Sequence, residues 1–222
     1  KKEVLIIMAG NIPLVGLHDF ISVVICGHKA AIKKSSADCI LIDVIIDELF
    51  KIDKRFKSYV EFVENVKEMS FDAVIATGSD NSAKYFDYYF KDSKRIIRRN
   101  RRSIAVLDGN ESQADLKLLS EDIFSYFGLG CRNVSKLFLP KGYDLDKLFK
   151  VFFDFSNIIN HRKYANNYEY NKAIFLIGGN KILENGFVML KEEESLFSPV
   201  AMIYYEYYSS IDKVNSFIEK NN

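Results

Sequence analysis

The feature that most constrains the fold is the alternation of short apolar runs with stretches of helical periodicity in the first half of the chain. The apolar runs predict strands at residues 4–8, 29–33 and 73–76, and the periodic stretches predict helices at 17–26, 42–50, 56–66 and 81–90. Strands that alternate with helices form a parallel sheet that is covered on both faces. We therefore predict an α/β protein that begins with a doubly wound, Rossmann-type parallel sheet.

The second half continues as an α/β arrangement after a turn. An apolar run at 103–107 precedes Asp108-Gly109-Asn110, a turn signal at which we place the domain boundary. Beyond it the pattern predicts helices at 112–127, 145–159, 166–177 and 211–218 and strands at 135–139, 187–190 and 200–207. We expect a first domain at 1–107 and a second at 108–222. Because the chain enters a strand at once and has no initiator methionine, we expect it to be a piece of a longer protein.

Composition narrows the class of partner. A chain of 222 residues that is 48% hydrophobic can bury a large core, and a net charge of +1 gives no global reason to bind nucleic acid or acidic membranes. A small-molecule partner is favoured. No apolar run approaches the roughly 20 residues that span a bilayer.

The cysteines and histidines indicate neither disulfides nor a metal site. Three cysteines without C-x-x-C spacing and three scattered histidines fit a reducing cytoplasm and predict no metal ligands.

One of these cysteines lies in a glycine-rich bend between two apolar segments. Gly128-Leu129-Gly130 precedes Cys131, and glycines allow the backbone to approach a substrate closely. A cysteine in such a turn is a candidate nucleophile. The ordinary alternative is a buried free cysteine, the role that we assign to Cys26 and Cys39.

Three segments follow predicted strands of the first domain, where ligands bind in such sheets. Asn11, before Ile12-Pro13, carries an amide that can donate to an oxyanion. Lys33-Lys34-Ser35-Ser36 suits a ribose or a phosphate. Thr77-Gly78-Ser79 directs backbone N–H groups and a helix N-terminus at an anion. Taken singly, these are also an ordinary turn, a solvated edge and a common strand–helix junction.

Two charged segments have simpler interpretations. The basic run 95–102 can contact nucleic acid, but no interleaved aromatic residues accompany it. We interpret it as a solvated or anion-facing edge between two strands. The acidic segment 192–194, before 195–200, offers a carboxylate for sugar hydroxyls or forms an acidic surface turn.

The order and spacing of these segments resemble the aldehyde dehydrogenase superfamily, and within it the LuxC-type acyl-CoA reductases. The resemblance covers nearly the whole chain. In the first domain it rests on Asn11 and Pro13 for the family's Asn-x-Pro, on Lys33 for the lysine of its cofactor strand, and on Gly78-Ser79 for its Thr-Gly-Ser turn. In the second domain it rests on Gly130-Cys131 with Ser135-Lys136 for the catalytic cysteine signature, and on Phe197-Ser198-Pro199-Val200 for the Phe-Gly-Pro-Val element.

This resemblance implies a Rossmann-type cofactor domain followed by an α/β catalytic domain, and it implies roles for individual residues. Cys131 would be the nucleophile, with the Asn11 side chain and the Cys131 N–H as the oxyanion hole. Lys33 would hold the adenine ribose, and Gly78 and Ser79 would lie by the phosphates or the nicotinamide. Glu194, one residue out of register, would bind the nicotinamide ribose.

Two departures from the family pattern refine the expected chemistry. Arg98-Arg99-Asn100-Arg101 replaces the Glu-Leu-Gly-Gly segment that carries the general base of the hydrolytic members, so no carboxylate is expected there to activate water. Ser36 replaces the NAD-selecting glutamate and Lys34 replaces a proline. Both changes suit a 2′-phosphate and favour NADPH over NAD.

The expected function is the NADPH-dependent reduction of an acyl-CoA, or another acyl thioester, to the aldehyde through an acyl-cysteine. We expect a homo-oligomer in the full-length protein. The alternatives are an aldehyde dehydrogenase that oxidises free aldehydes, a non-catalytic nucleotide-binding protein of the same fold, and a nucleic-acid binder.

Overall fold

The computed structural model describes residues 1–66, 69–99 and 103–221. It divides into two compact units, Lys1–Asn100 and Arg101–Asn222. Each unit is built on a five-stranded sheet with helices packed against it.

The first unit is a wholly parallel sheet. Its elements are β1 (Glu3–Ile7), α1 (Leu17–Ile25), β2 (Lys29–Lys33), α2 (Ile40–Ile52), a 3-10 helix (Lys54–Ser58), β3 (Val60–Phe62), β4 (Ala73–Thr77), α3 (Asp80–Tyr89) and β5 (Lys94–Arg98). The strand order is β3-β2-β1-β4-β5. The chain runs outward from β1 to β3 and then returns to the other side at β4, so the switch point of the topology lies between β1 and β4.

The core of this unit explains the apolar run with which the chain begins. Ile6 packs with Phe20 and Ile46 on one face of the sheet, whereas Leu5 packs with Val74 on the other. A central parallel strand that is buried on both faces has a continuous apolar sequence rather than an alternating one.

The helix predicted at 56–66 is wrong. The chain there forms the 3-10 helix and then β3, because the segment pairs with the free edge of β2 through the bond from the Ala30 N–H to the Tyr59 carbonyl. The first part of the basic run is also a strand, since β5 pairs with β4 at the opposite edge. Asn100, Arg101 and Arg102 lie outside the described residues.

The second unit is a mostly parallel sheet. Its elements are β6 (Ser103–Val106), α4 (Gln113–Phe124), a 3-10 turn (Ser125–Gly128), β7 (Val134–Pro140), α5 (Asp146–Phe152), a 3-10 helix (Phe153–Asn160), α6 (Arg162–Ile177), β8 (Leu183–Glu184), β9 (Met189–Glu192), β10 (Met202–Tyr208) and α7 (Ile211–Asn221). The strand order is β6-β7-β10-β9-β8, with β8 antiparallel to β9.

The boundary between the units lies earlier than the predicted one at residue 107. The strand Ser103–Val106 pairs with β7 in the second sheet, so it belongs to the second unit. The turn Asp108-Gly109-Asn110 therefore connects β6 to α4 inside that unit. Turn signals mark where a strand ends, but they do not show which sheet the strand has joined.

Among the helices of the described residues, none combines the length and the apolar character that crossing a bilayer requires.

Candidate active site

Three of the segments predicted from the sequence meet at one edge of the first sheet. The register pairs Ile7 at the end of β1 with Lys33 of β2 and with Ala76 of β4. The loops that follow these strands, which carry Asn11, Lys33-Lys34 and Gly78-Ser79, therefore leave the sheet side by side at its carboxyl edge. This edge includes the switch point between β1 and β4, where open α/β sheets bind ligands.

The turn that carries Asn11 is held by contacts between its backbone and side chains of the loop after β2. The Leu14 N–H donates to the Asp38 carboxylate over 2.6 Å, and Leu14 has a φ of +59°, which is unusual for a residue with a side chain. Gly10 packs against the next loop so closely that a Cβ there would lie 2.3 Å from Ser35 Oγ. Asn11 itself is exposed on this fixed turn.

The two lysines after β2 have different partners. Lys33 Nζ donates to the Glu64 carbonyl over 2.8 Å. Lys34 Nζ instead contacts both carboxylate oxygens of Asp43, at 2.9 and 2.7 Å. Ser36 is exposed in the turn beyond them. The charge of Lys34, predicted above to attract a 2′-phosphate, is thus already paired with a carboxylate.

The junction between β4 and α3 is held by close contacts and by a capping serine. The Gly78 N–H donates to the Arg98 carbonyl over 3.1 Å, and a Cβ at Gly78 would lie 2.9 Å from Ser82 Cβ. Ser79 caps α3 by accepting the Ser82 N–H. The N-terminus of α3 therefore lies at the carboxyl edge of the first sheet, and helix N-termini bind phosphates through their free N–H groups.

Arg98, at the end of β5, pairs with a buried carboxylate. Its guanidinium donates to both oxygens of Asp19, which is only 4% exposed in the first turn of α1. The pair ties the edge strand to the helix that follows the Asn11 turn. By the resemblance, Arg98 stands at the first position of the segment that carries the general base in the hydrolytic members. In this chain that position holds a cation that is paired with Asp19.

Cys131 is an exposed free thiol that follows a strained stretch of backbone in the second unit. Tyr126, Phe127 and Gly128 have successive φ values of 51°, 60° and 69°. Two successive non-glycine residues in the left-handed region are costly, and such strain is concentrated at functional sites. In the described part of the chain the other non-glycine residues with positive φ are Leu14 and Ala201, which lie beside the Asn-x-Pro and Phe-Ser-Pro-Val segments.

A residue that sequence reasoning missed, Asn133, holds the cysteine turn together. The residue is 6% exposed, and its Oδ1 accepts the Gly130 N–H over 2.7 Å. Its Nδ2 donates to the carbonyls of Asp122 and Ser125, over 2.8 and 3.0 Å. One amide thus joins the end of α4 to the residue before Cys131. The available signal was an asparagine in a turn directly before a buried strand.

We expect Asn133→Ala to lower the free energy of unfolding by about 1–3 kcal/mol, because the buried Gly130 N–H and the carbonyls at the end of α4 lose their partner. Urea denaturation measures the change. Asn167→Ala is the matched control, since Asn167 is exposed on α6 and makes one bond to its own helix. It should change stability by less than about 0.5 kcal/mol. Equal effects would show that Asn133 does not hold the turn.

The strand after Cys131 is tied to the segment that carries Glu194. Ser135 Oγ donates to the Leu196 carbonyl over 2.9 Å. Lys136, whose side chain is fully buried, donates to the Glu193 carbonyl and to Glu206 Oε2, the latter over 3.0 Å. The backbone on both sides of Glu194 is therefore anchored to β7, while Glu194 itself is exposed. The hydrogen bond from Lys191 lowers the pKa of the Glu193 carboxyl.

A small cavity lies between the cysteine turn and the Phe-Ser-Pro-Val segment. It measures about 30 Å³ and is lined in part by Phe127, Ser135, Tyr164 and Pro199. Burial raises the pKa of the Tyr164 hydroxyl, which keeps this group neutral. The volume holds a water molecule but not an acyl chain. The described residues also contain no group of three His, Cys, Asp or Glu side chains placed to bind a metal.

Solved structures show the same architecture over 97% of this chain. One is an indole-3-acetaldehyde dehydrogenase in complex with NAD+, with a TM-score of 0.77 and 15% identity. This chain has an aldehyde-dehydrogenase-like fold. Another is the P. syringae AldA indole-3-acetaldehyde dehydrogenase, a cysteine-to-alanine variant with NAD+ and IAA, with a TM-score of 0.76 and 13% identity. A third is a 3,6-anhydro-L-galactose dehydrogenase in complex with NAP, with a TM-score of 0.77 and 14% identity.

The aldehyde-dehydrogenase-like chain spans about half the length of these structures. The matched region makes up 53%, 53% and 55% of their chains, in the order given. Comparison of its sequence with protein-family models and with curated proteins gave no match. At these identities, the likeness establishes the fold.

Proposed function

We propose that this chain is the portion of an NAD(P)-dependent oxidoreductase that carries the catalytic cysteine, and that the enzyme reduces an acyl thioester such as acyl-CoA to the aldehyde. The observation that carries the proposal is the exposed Cys131 thiol on a strained turn clamped by Asn133. A solved neighbour with a cysteine replaced by alanine, bound to NAD+ and IAA, supports a cysteine of functional importance in this fold.

The first half of the reaction is an acyl transfer. The Cys131 thiolate attacks the thioester carbonyl and forms a carbon–sulfur bond, and the Asn11 amide and the Cys131 N–H stabilise the negative oxygen. The bond to the CoA sulfur then breaks, CoA leaves as its thiol after taking a proton, and an acyl group remains on Cys131.

The second half is a reduction. NADPH, when bound, supplies a hydride to the acyl carbon. The resulting tetrahedral alkoxide on Cys131 collapses: its carbon–sulfur bond breaks, the aldehyde leaves and the Cys131 thiolate is restored. Asn11 again donates to the oxygen while it carries negative charge.

The cofactor would lie along the carboxyl edge of the first sheet. Lys33 would hold the adenine ribose, Gly78 and Ser79 the phosphates or nicotinamide, and Glu194 the nicotinamide ribose. A hydroxyl at Ser36 in place of a carboxylate removes a negative charge that would repel a 2′-phosphate, and this supports NADPH as the preferred nucleotide.

Reduction is favoured over hydrolytic oxidation by the residues at the end of β5. Arg98 stands at the start of the segment that carries the general base in the hydrolytic members. Its guanidinium is paired with Asp19 and cannot act as a base that activates water. The second candidate, the oxidation of a free aldehyde, is favoured by the solved neighbours that are named aldehyde dehydrogenases. A dependence on CoA distinguishes the two.

The proposal is tested by intact mass measurement after incubation with palmitoyl-CoA, first without and then with NADPH. We expect a mass increase of one acyl group that disappears with NADPH, together with release of hexadecanal. No adduct on a folded chain would contradict the acyl-transfer step. Formation of free acid from hexadecanal and NADP+ without CoA would instead support aldehyde oxidation.

A further inference from the structure

We propose that Asp43 sets the preference of this site between NADPH and NADH by neutralising Lys34. The inference rests on the proposed function, because it concerns the same nucleotide site, and it assigns the choice of nucleotide to a residue on α2. The family resemblance points instead to Ser36, the position of the NAD-selecting glutamate.

The geometry of the pair carries the argument. The Lys34 ammonium lies within hydrogen-bond distance of both oxygens of Asp43, at 2.9 and 2.7 Å. It also lies 4.6 Å from the centre of the Phe62 ring at the end of β3. The two charged side chains are 26% and 42% exposed. The cation is thus fixed between a carboxylate and a ring, and a ligand can still reach it.

The position of the pair links it to the ribose. Lys33 ends β2, Lys34 follows it, and Asp43 lies in the first turn of α2, the next helix. In nucleotide sites of this class, a carboxylate near the end of this strand binds the ribose 2′-hydroxyl, whereas a cation accommodates a 2′-phosphate. Lys34 and Asp43 offer both groups at one place.

The consequence is a competition for Lys34. A 2′-phosphate can pair with the ammonium only by displacing the Asp43 carboxylate or by approaching it, and like charges repel. NADH has no such phosphate and gains a carboxylate acceptor for its 2′-hydroxyl. Wild-type Asp43 should therefore restrain a preference for NADPH that Lys34 and Ser36 would otherwise make strong.

The test is isothermal titration calorimetry of the 222-residue chain with NADP+ and with NAD+. Asp43→Asn should raise the ratio of NADP+ to NAD+ affinity by about tenfold, a change that adding Lys34→Ala should cancel. Asp47→Asn is the matched control, because Asp47 is exposed one turn further along α2 and its replacement changes the net charge equally. It should leave the ratio unchanged. Circular dichroism confirms that each variant is folded.

The outcomes separate the two proposals. If Asp43→Asn and Asp47→Asn give the same ratio, or if the double variant keeps the tenfold gain, Asp43 does not act through Lys34 and the inference is wrong. If the folded wild-type chain and all variants bind neither nucleotide, the cofactor site of the proposed function is wrong, and the inference falls with it.

Discussion

Replacing Cys131 by alanine is expected to abolish both the acyl adduct and the aldehyde product. The reaction proposed above passes through a covalent bond to this sulfur, so its removal takes away the acyl acceptor. The substitution should leave the fold intact, because the Cys131 side chain is exposed and the turn is held by Asn133. Intact mass and an aldehyde assay with palmitoyl-CoA and NADPH measure the two losses.

The chain contains its own control for this experiment. Cys26, predicted above to be a buried free cysteine, is in fact exposed as well, but it lies at the end of α1 without a glycine-rich turn. Cys26→Ala should retain full acylation. An adduct that persists in Cys131→Ala, or that disappears in Cys26→Ala, would show that the acyl group attaches to a different residue and would contradict the assignment of the nucleophile.

The second large effect is expected for Asn11→Ala, which should lower kcat roughly a hundredfold or more. Removing one donor from an oxyanion hole typically costs about 3–4 kcal/mol in the transition state. The loss should appear in kcat rather than in stability. The turn around Asn11 is held by the bond from the Leu14 N–H to Asp38 and by the close packing of Gly10 on Ser35.

Two further variants sharpen this prediction. Asn11→Asp should be at least as slow as Asn11→Ala, because a carboxylate repels the negative oxygen that the amide would stabilise. Asn110→Ala, an equivalent change in an exposed turn of the second unit, should leave kcat unaltered. A wild-type rate for Asn11→Ala would remove Asn11 from the mechanism, although Cys131 could remain the nucleophile.

The sequence was sufficient to predict most helices and strands. It failed where the pairing of one strand with another decides the structure. The strand Lys29–Lys33 was predicted at both ends. The helix predicted at 56–66 was wrong, since β3 forms by pairing with β2, a partner that no local pattern reveals. The strand at 103–106 was found but placed in the wrong sheet, because the turn after it is the same whichever sheet it joins.

At the candidate site, residue types were predictable but their partners were not. Local patterns identified the cysteine turn, the Asn11 turn and the Gly78-Ser79 junction, and their proposed roles stay predictions. The contacts that hold and tune these segments were invisible in the sequence. They include the clamp formed by Asn133, the commitment of Arg98 to Asp19, and the neutralisation of Lys34 by Asp43.

The sequence by itself determined that parallel strands are buried and which side chains stand at their carboxyl ends. Apolar periodicity and glycine turns are properties of residues that are close in sequence, so they favour the same strands, helices and turns whatever the rest of the fold is. Only the tertiary structure decided the electrostatics of the site. A charge is neutralised by whichever group the fold brings within hydrogen-bond reach, and Asp19 and Arg98 are 79 residues apart in the chain. Such pairs exist only after the sheets and helices have packed, because that packing alone sets the distances between distant residues.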